Sequence, residues 1–188
     1  ANRLRDNDTR ARFESTGTGL NAYQMGVQLA HMDATAHDLL DRSEVALHCK
    51  DWLYLNLTGV RATDPSEANF TFGSYTSRKY SDAVIAQLGL SGRRGLLPEI
   101  VDGTQHTHAL TANAAVQTGL LAGTPVALAY VDVICTGMGA GIYTRGEETG
   151  CTIIGSTGMH MRAVAAAEVT LNDEPSGYTM VLPVPGMV

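Results

Sequence analysis

Basic residues are scarce in this chain: 13 Lys and Arg stand against 19 Asp and Glu, for a net charge of −6. That balance supplies no attraction to nucleic acid or anionic lipid, so neither nucleic acid nor a membrane is an expected partner. Cysteine is scarcer still. Cys49, Cys135 and Cys151 are odd in number, widely spaced and without a CxxC pair. They argue against a disulfide framework or zinc site and fit reduced, mostly buried thiols. No apolar run approaches the ~20 residues of a membrane-spanning helix. No segment near the start has a signal-peptide pattern, so a cytoplasmic location is expected. Internal repeats and low-complexity tracts are absent as well. What remains is an ordinary globular composition of 188 residues, 44% hydrophobic and 17% charged, long enough for one core.

The most informative stretch runs from Gly123, Thr124 and Pro125 through an apolar run to Asp132, then to Gly137, Gly139 and Gly141. Residues 126–131 read as a short buried strand opened by a turn. A carboxylate at the end of such a strand sits where open α/β sheets place their chemistry. Asp132 is therefore a candidate general base that takes a proton from a substrate hydroxyl. The competing reading is a helix cap that accepts hydrogen bonds from the next helix's first turn. The three glycines leave room for a ligand or another backbone to approach. Cys135, one turn beyond, has no basic or His partner nearby and reads as a packing residue.

Elsewhere the pattern is helical first and strand-rich later. Residues 11–40 read as two helical parts around the Thr16-Gly17-Thr18-Gly19 turn, and residues 43–57 as a helix capped by Ser43 and ended at Gly59. Pro65 is placed to start the next helix. Residues 81–88 form a short helix stopped by Gly89, residues 96–101 look extended, and Thr111 caps another helix. Residues 150–155 and 159–164 resemble paired strands, and residues 168–171 and 178–182 a second pair. Helices followed by strands through a βα junction argue for an α/β or α+β class.

Between the first two late strands lies Gly155-Ser156-Thr157-Gly158. Backbone N–H groups and two hydroxyls there can grip phosphate oxygens, although a plain hairpin turn uses the same residues. A base and a phosphate cradle are two parts that phosphoryl transfer needs together. Tyr23 and Gln24 follow a glycine-containing turn and are candidates to line a polar substrate pocket. The alternative for Tyr23 is half-buried packing with its hydroxyl at the surface. His106 and His108 share a face if extended but lack a third ligand at metal spacing, so no metal site is expected. His160 follows the glycine loop as a supporting or structural residue.

Taken together, these residues resemble the FGGY family of carbohydrate kinases, which includes glycerol kinase and xylulokinase. The matching strings are Lys50-Asp51-Trp52-Leu53-Tyr54-Leu55-Asn56-Leu57-Thr58-Gly59 and Ala62-Thr63-Asp64-Pro65-Ser66-Glu67-Ala68. Leu96-Leu97-Pro98 follows, then Thr118-Gly119-Leu120, Asp132 with its glycines, and the 155–158 loop. The wording is most like the erythritol or polyol kinase branch. The resemblance implies an actin-like, ribonuclease-H-like α/β fold of two domains with a cleft between them. It implies transfer of the ATP γ-phosphoryl group, with Mg2+, to a hydroxyl of a small-molecule sugar or polyol. It places Asp132 as catalytic base, also at the substrate, the loop from Gly155 to Gly158 on the phosphate side, and Tyr23 near the substrate.

The family's opening Asp-x-Gly-Thr strand and its adenosine-binding C-terminal domain have no counterpart in this sequence. Residues 1–188 are therefore expected to be the central and C-terminal part of the family's N-terminal domain, cut from a larger protein and inactive alone. The family loop commonly reads Gly-Thr-Ser, whereas Gly155-Ser156-Thr157 stands here. A non-catalytic sugar-binding or regulatory module with an actin-like half-fold is the alternative, and a homodimer is kept open.

Overall fold

The computed structural model describes residue 4 and residues 6–143 and 149–188; of the polar opening, residues 1–3 and 5 lie outside that description. The described part is mixed α/β. Helix α1 (Arg10–Thr16) starts at Thr9, whose hydroxyl accepts the Arg12 N–H, and stops at Gly17 in the left-handed region with φ 64°. Helices α2 (Met25–Thr35) and α3 (His37–Asp41) follow, separated at Ala36. The expected second helical part is thus broken in two.

Helix α4 is Cys49–Thr58 with His48 as N-cap, so it starts five residues later than the Ser43 cap predicts. Ser43 instead donates its hydroxyl back to the Leu39 carbonyl at 2.8 Å. The starting signal is Asp51, whose carboxylate accepts the His48 N–H at 3.3 Å, as a capping-box acid does. The end is as expected, with Gly59 left-handed at φ 77°. Strand β1 (Ala62–Thr63) leads to α5 (Pro65–Phe72), with Pro65 in its first turn and Asp64 as N-cap accepting the Ser66 N–H. A small antiparallel pair, β2 (Gly73–Ser74) and β3 (Lys79–Tyr80), precedes α6 (Asp82–Gln87), capped by Ser81. A 3-10 turn, Ser91–Leu96, leads to β4 (Glu99–Ile100), which pairs parallel with β1.

Strands β5 (Thr107–Ala109) and β6 (Pro125–Ala127) pair antiparallel around α7 (Ala112–Thr118), with Thr111 as the expected cap. The 126–131 run is not a wholly buried strand. Only its first residues are in β6, and Leu128 and Tyr130 are buried while Ala127 and Ala129 are exposed. That alternation is the period of a half-covered strand. Helix α8 (Asp132–Gly139) follows directly. Strands β7 (Gly150–Ile154) and β8 (Gly158–Arg162) form the expected hairpin, with all five pairs in register from Gly150↔Arg162 to Ile154↔Gly158.

The second late strand pair does not form. Residues 168–171 and 178–182 are irregular after a 3-10 turn at Ala166–Glu168. Their backbone groups are used elsewhere: Thr179 N–H donates to Gly17 O at 2.9 Å, and Gly19 N–H donates to Gly177 O at 3.3 Å. The turn after α1 thus takes the hydrogen bonds a hairpin would have used.

Three apolar clusters hold these pieces. One joins α2, α3, α5 and α6 through Val27, Leu40, Phe72 and Ile85. A second packs Ile134 of α8 with Tyr130, Val181 and Val188. The third sets Tyr54 of α4 against Ala62, Val101 and Leu128. Cys49 and Cys135 are exposed and Cys151 is half-buried, so the expectation of mostly buried thiols is corrected: Cys49, the first residue of α4, faces solvent.

Candidate functional site

The junction between β6 and α8 is built by its neighbours. Tyr130 fills the second cluster, Val131 is the N-cap of α8, and Asp132 is the first helical residue. Its Oδ1 accepts the Val133 N–H at 2.7 Å, and its carbonyl accepts the Thr136 hydroxyl at 2.8 Å. Asp132 therefore takes a first-turn hydrogen bond without occupying the cap position. The positive end of the helix favours a carboxylate there. The side chain is exposed, so it is not buried in a capping role alone.

Asp132 lines an open groove of about 670 Å3 whose other polar walls include Tyr23, His48, Lys50 and Glu67. Two predicted site residues, Asp132 and Tyr23, thus share one cavity. Tyr23 stacks on Phe70 with ring centroids 6.2 Å apart, and its hydroxyl bonds that of Tyr178. Burial, then the bond to Tyr178, raises the Tyr23 pKa well above the ordinary 10.0.

Gln24 faces elsewhere. It is 1% exposed, its Oε1 accepts the Asn21 N–H at 2.8 Å, and its Nε2 donates to Gly19 O at 3.1 Å. A side chain so engaged braces the turn after α1 and does not line the groove.

The Gly155–Gly158 loop is the exposed tip of the β7–β8 hairpin. Gly155 N–H donates to Thr157 O at 2.9 Å, leaving the Ser156 and Thr157 side chains facing solvent. None of its residues lines the Asp132 groove. The hairpin reaches α8 through Met161: a Cβ on Gly137 would meet the Met161 sulfur at 2.7 Å. Gly137 therefore makes room for a side chain of the hairpin. Gly141 serves a left-handed turn at φ 83°. These two glycines have structural work of their own beyond the ligand access first read into them.

Cys135, though exposed as a residue, donates its thiol to Tyr130 O at 3.3 Å, and partial desolvation of the sulfur raises its pKa above the ordinary 9.0, so it is no activated nucleophile. His160 bonds Thr152 across the hairpin at 3.0 Å. His108 bonds the Tyr54 hydroxyl at 2.6 Å and His106 is exposed. Among the described residues no three His, Cys, Asp or Glu side chains gather as metal ligands.

Sequence reasoning quoted Lys50, Asp51, Asp64, Ser66 and Glu67 only as matching letters and gave them no role. They form one polar cluster, with Lys50 and Glu67 on the groove wall and Asp51, Asp64 and Ser66 outside its lining. Asp51 and Asp64 are 0% exposed. Lys50 Nζ lies 2.7 Å from Asp51 Oδ1 and 2.5 Å from Asp64 Oδ2. His48 bridges Asp51 at 3.0 Å and Glu67 at 3.3 Å. Burial works against the Lys50 charge, but Asp64 and Asp51 outweigh it and raise its pKa. Burial likewise opposes ionised Asp51, and the contacts from His48 and Lys50 prevail and lower its pKa. For Glu67 burial wins, and its pKa is raised. The signal in the sequence was a pair of opposite charges opening an otherwise mostly apolar helix, Lys50-Asp51, answered 13 residues after Asp51 by Asp64.

Comparison with known proteins places this arrangement. Residues 2–139 match the family model for the FGGY family of carbohydrate kinases, N-terminal domain. The chain is 63% identical over 179 residues to erythritol kinase of Brucella abortus, covering 95% of this chain and 34% of that protein. It is 32% identical to xylulose kinase of Bacillus subtilis, covering 65% of this chain and 24% of that protein. Among solved structures, xylulose kinase from Rhodospirillum rubrum aligns with a TM-score of 0.80 at 24% identity, over 96% of this chain and 36% of that one. A ligand-bound xylulose kinase from Lactobacillus acidophilus gives 0.82 at 14% identity, over 95% and 35%. These likenesses make the fold actin-like. The chain spans between about a quarter and about a third of the length of these relatives. It belongs to the FGGY family of carbohydrate kinases.

Proposed function

We propose that this chain is part of an ATP-dependent kinase that phosphorylates a sugar or polyol hydroxyl, with erythritol as the favoured acceptor and xylulose, ribulose or glycerol as alternatives. The observation that carries the reading is an exposed carboxylate, Asp132, at a helix N-terminus and opening onto a groove large enough for a small polyol. The 63% identity to an erythritol kinase supports that acceptor.

Asp132 takes the proton of the acceptor hydroxyl as its oxygen attacks the γ-phosphorus; the new O–P bond forms while the bond to the β-phosphate oxygen breaks. Such a base needs position more than strength, because phosphoryl transfer depends mostly on alignment and charge neutralisation. Tyr23 lines the acceptor side of the groove. At the hairpin tip, the exposed Ser156 and Thr157 hydroxyls fit a phosphate-binding role, since neither is buried. Bound ATP supplies the phosphoryl group and Mg2+ offsets its charge. Among the described residues no cluster forms a cage of three side-chain ligands, and Mg2+ in such sites takes one or two carboxylates together with substrate phosphates. No helix among the described residues is long and apolar enough to cross a membrane.

The test is a phosphorylation screen of four- and five-carbon polyols and ketoses, and glycerol, with the full-length enzyme. ATP-dependent product from erythritol, at the highest kcat/KM of the set, is expected. Failure to phosphorylate any of them would refute the proposal.

A further inference from the structure

We infer that Ser66 is a positioning residue for Asp132, locked in place by the buried Asp64–Lys50 pair; the inference rests on the reading of Asp132 as the base. Ser66 is the second residue of α5 and is 0% exposed. Its hydroxyl bonds Asp64 Oδ1, and its oxygen accepts the Val131 N–H at 3.0 Å. Val131 is the N-cap of α8, and the peptide after it carries Asp132. One hydroxyl therefore ties the first turn of α5 to the entry of α8.

The direction of each bond is dictated by chemistry. A backbone N–H can only donate, so the Ser66 oxygen accepts from Val131 and its single proton is the one left for Asp64 Oδ1. Asp64 is held in its turn: Oδ1 also accepts the Ser66 N–H at 2.8 Å, while Oδ2 faces Lys50 Nζ at 2.5 Å. Lys50 is anchored a second time by Asp51. A chain of buried contacts thus runs from α4 through α5 to the backbone beside the base. Val131 has no side-chain cap of its own for α8, so Ser66 supplies an external constraint where the helix provides none.

A shift of the α8 entry by even a fraction of an ångström moves Asp132 relative to the acceptor hydroxyl, and misplacement near 1 Å costs on the order of 100-fold in rate. In the full-length enzyme, with erythritol as acceptor, Ser66→Ala should lower kcat about ten- to a hundredfold with KM within about twofold. Ser66→Thr keeps the hydroxyl and should restore kcat to within about threefold. A kcat for Ser66→Ala within about threefold of the parent would overturn the inference. So would a fall in kcat that Thr does not restore and that tracks a lost melting transition. Should Ser66→Ala fail to fold, Asp64→Asn replaces it: Asn keeps the helix cap and releases Lys50, a fall in kcat supports the chain, and an unchanged kcat overturns it. Asp132→Asn in parallel separates the two ideas. Retained turnover in Asp132→Asn sinks the base itself, whereas its loss beside an unaffected Ser66→Ala sinks only the positioning role.

Discussion

Replacing Lys50 by Met would remove the ammonium and keep most of the aliphatic stem. Asp51 and Asp64, both 0% exposed, would then lose their shared cation. Breaking a buried ion pair by deleting one partner costs about 3–5 kcal/mol, because the remaining charge is left uncompensated. Two features place Lys50 toward or below the lower end. A quarter of its side chain stays in solvent, and Asp51 retains His48 at 3.0 Å while Asp64 retains the Ser66 N–H. About 2–3 kcal/mol is the resulting expectation. Amide hydrogen exchange of peptides covering α4 and α5 in the full-length enzyme reads this locally. That cost corresponds to exchange roughly 30- to 160-fold faster when opening is at equilibrium. The double change Lys50→Met with Asp64→Asn should lose less than the sum of the single changes, since the second removes the charge that the first leaves stranded. Exchange in Lys50→Met within about twofold of the parent would refute the argument that this cluster holds the two helices.

Further outcomes follow from the same geometry. Asp51 is held below its ordinary 3.8 in the folded protein, so its contribution is complete above that value and is lost as pH falls through the folded pKa. Glu67 is raised above its ordinary 4.5, so its contribution is present below that value and fades as pH rises through its folded pKa. Asp51→Asn should therefore flatten the acid-side loss of α4 protection and Glu67→Gln the opposite slope, both read by exchange across the acid range. Gly103→Ala should cost more than about 2 kcal/mol, because the added Cβ would meet the Leu128 carbonyl oxygen at 2.1 Å. Gly139→Ala, with nothing within 4 Å, should be neutral or stabilising by up to about 1 kcal/mol on helix propensity; thermal unfolding compares the two. Ser156→Ala with Thr157→Ala should raise the KM for ATP or lower kcat about tenfold while leaving erythritol binding unchanged, if the hairpin tip grips phosphate. Steady-state kinetics and calorimetry check that pair.

Local chemistry made much of this structure legible. Thr111, Ser81 and Asp64-Pro65 announce helix starts because each satisfies a free N–H or forgoes one. Gly59 and Gly119 announce ends because they take left-handed backbone. The strand-to-Asp132 junction and the β7–β8 hairpin were readable for the same reason. Long-range bonding was not. Nothing near residue 179 in sequence signals that its N–H goes to Gly17, so a second hairpin looked as good as the irregular return observed. Ser43 is a sound cap in isolation and lost to His48 and Asp51, which a further set of charges pins in place. At the site, Asp132 stood out because a carboxylate after an apolar run is unusual. Ser66 did not, because a serine after Asp-Pro looks like any other first-turn residue until Val131 is found against it.

The proposed role of Asp132 is to take a proton from the acceptor hydroxyl. Single-turnover phosphorylation of erythritol by the full-length Asp132→Asn variant, with erythritol affinity measured on the same sample, tests it most directly. Phosphoryl transfer slower by about 100- to 10,000-fold with affinity nearly unchanged is the predicted result. Transfer within tenfold of the parent enzyme, or loss of binding together with the fold, would contradict it.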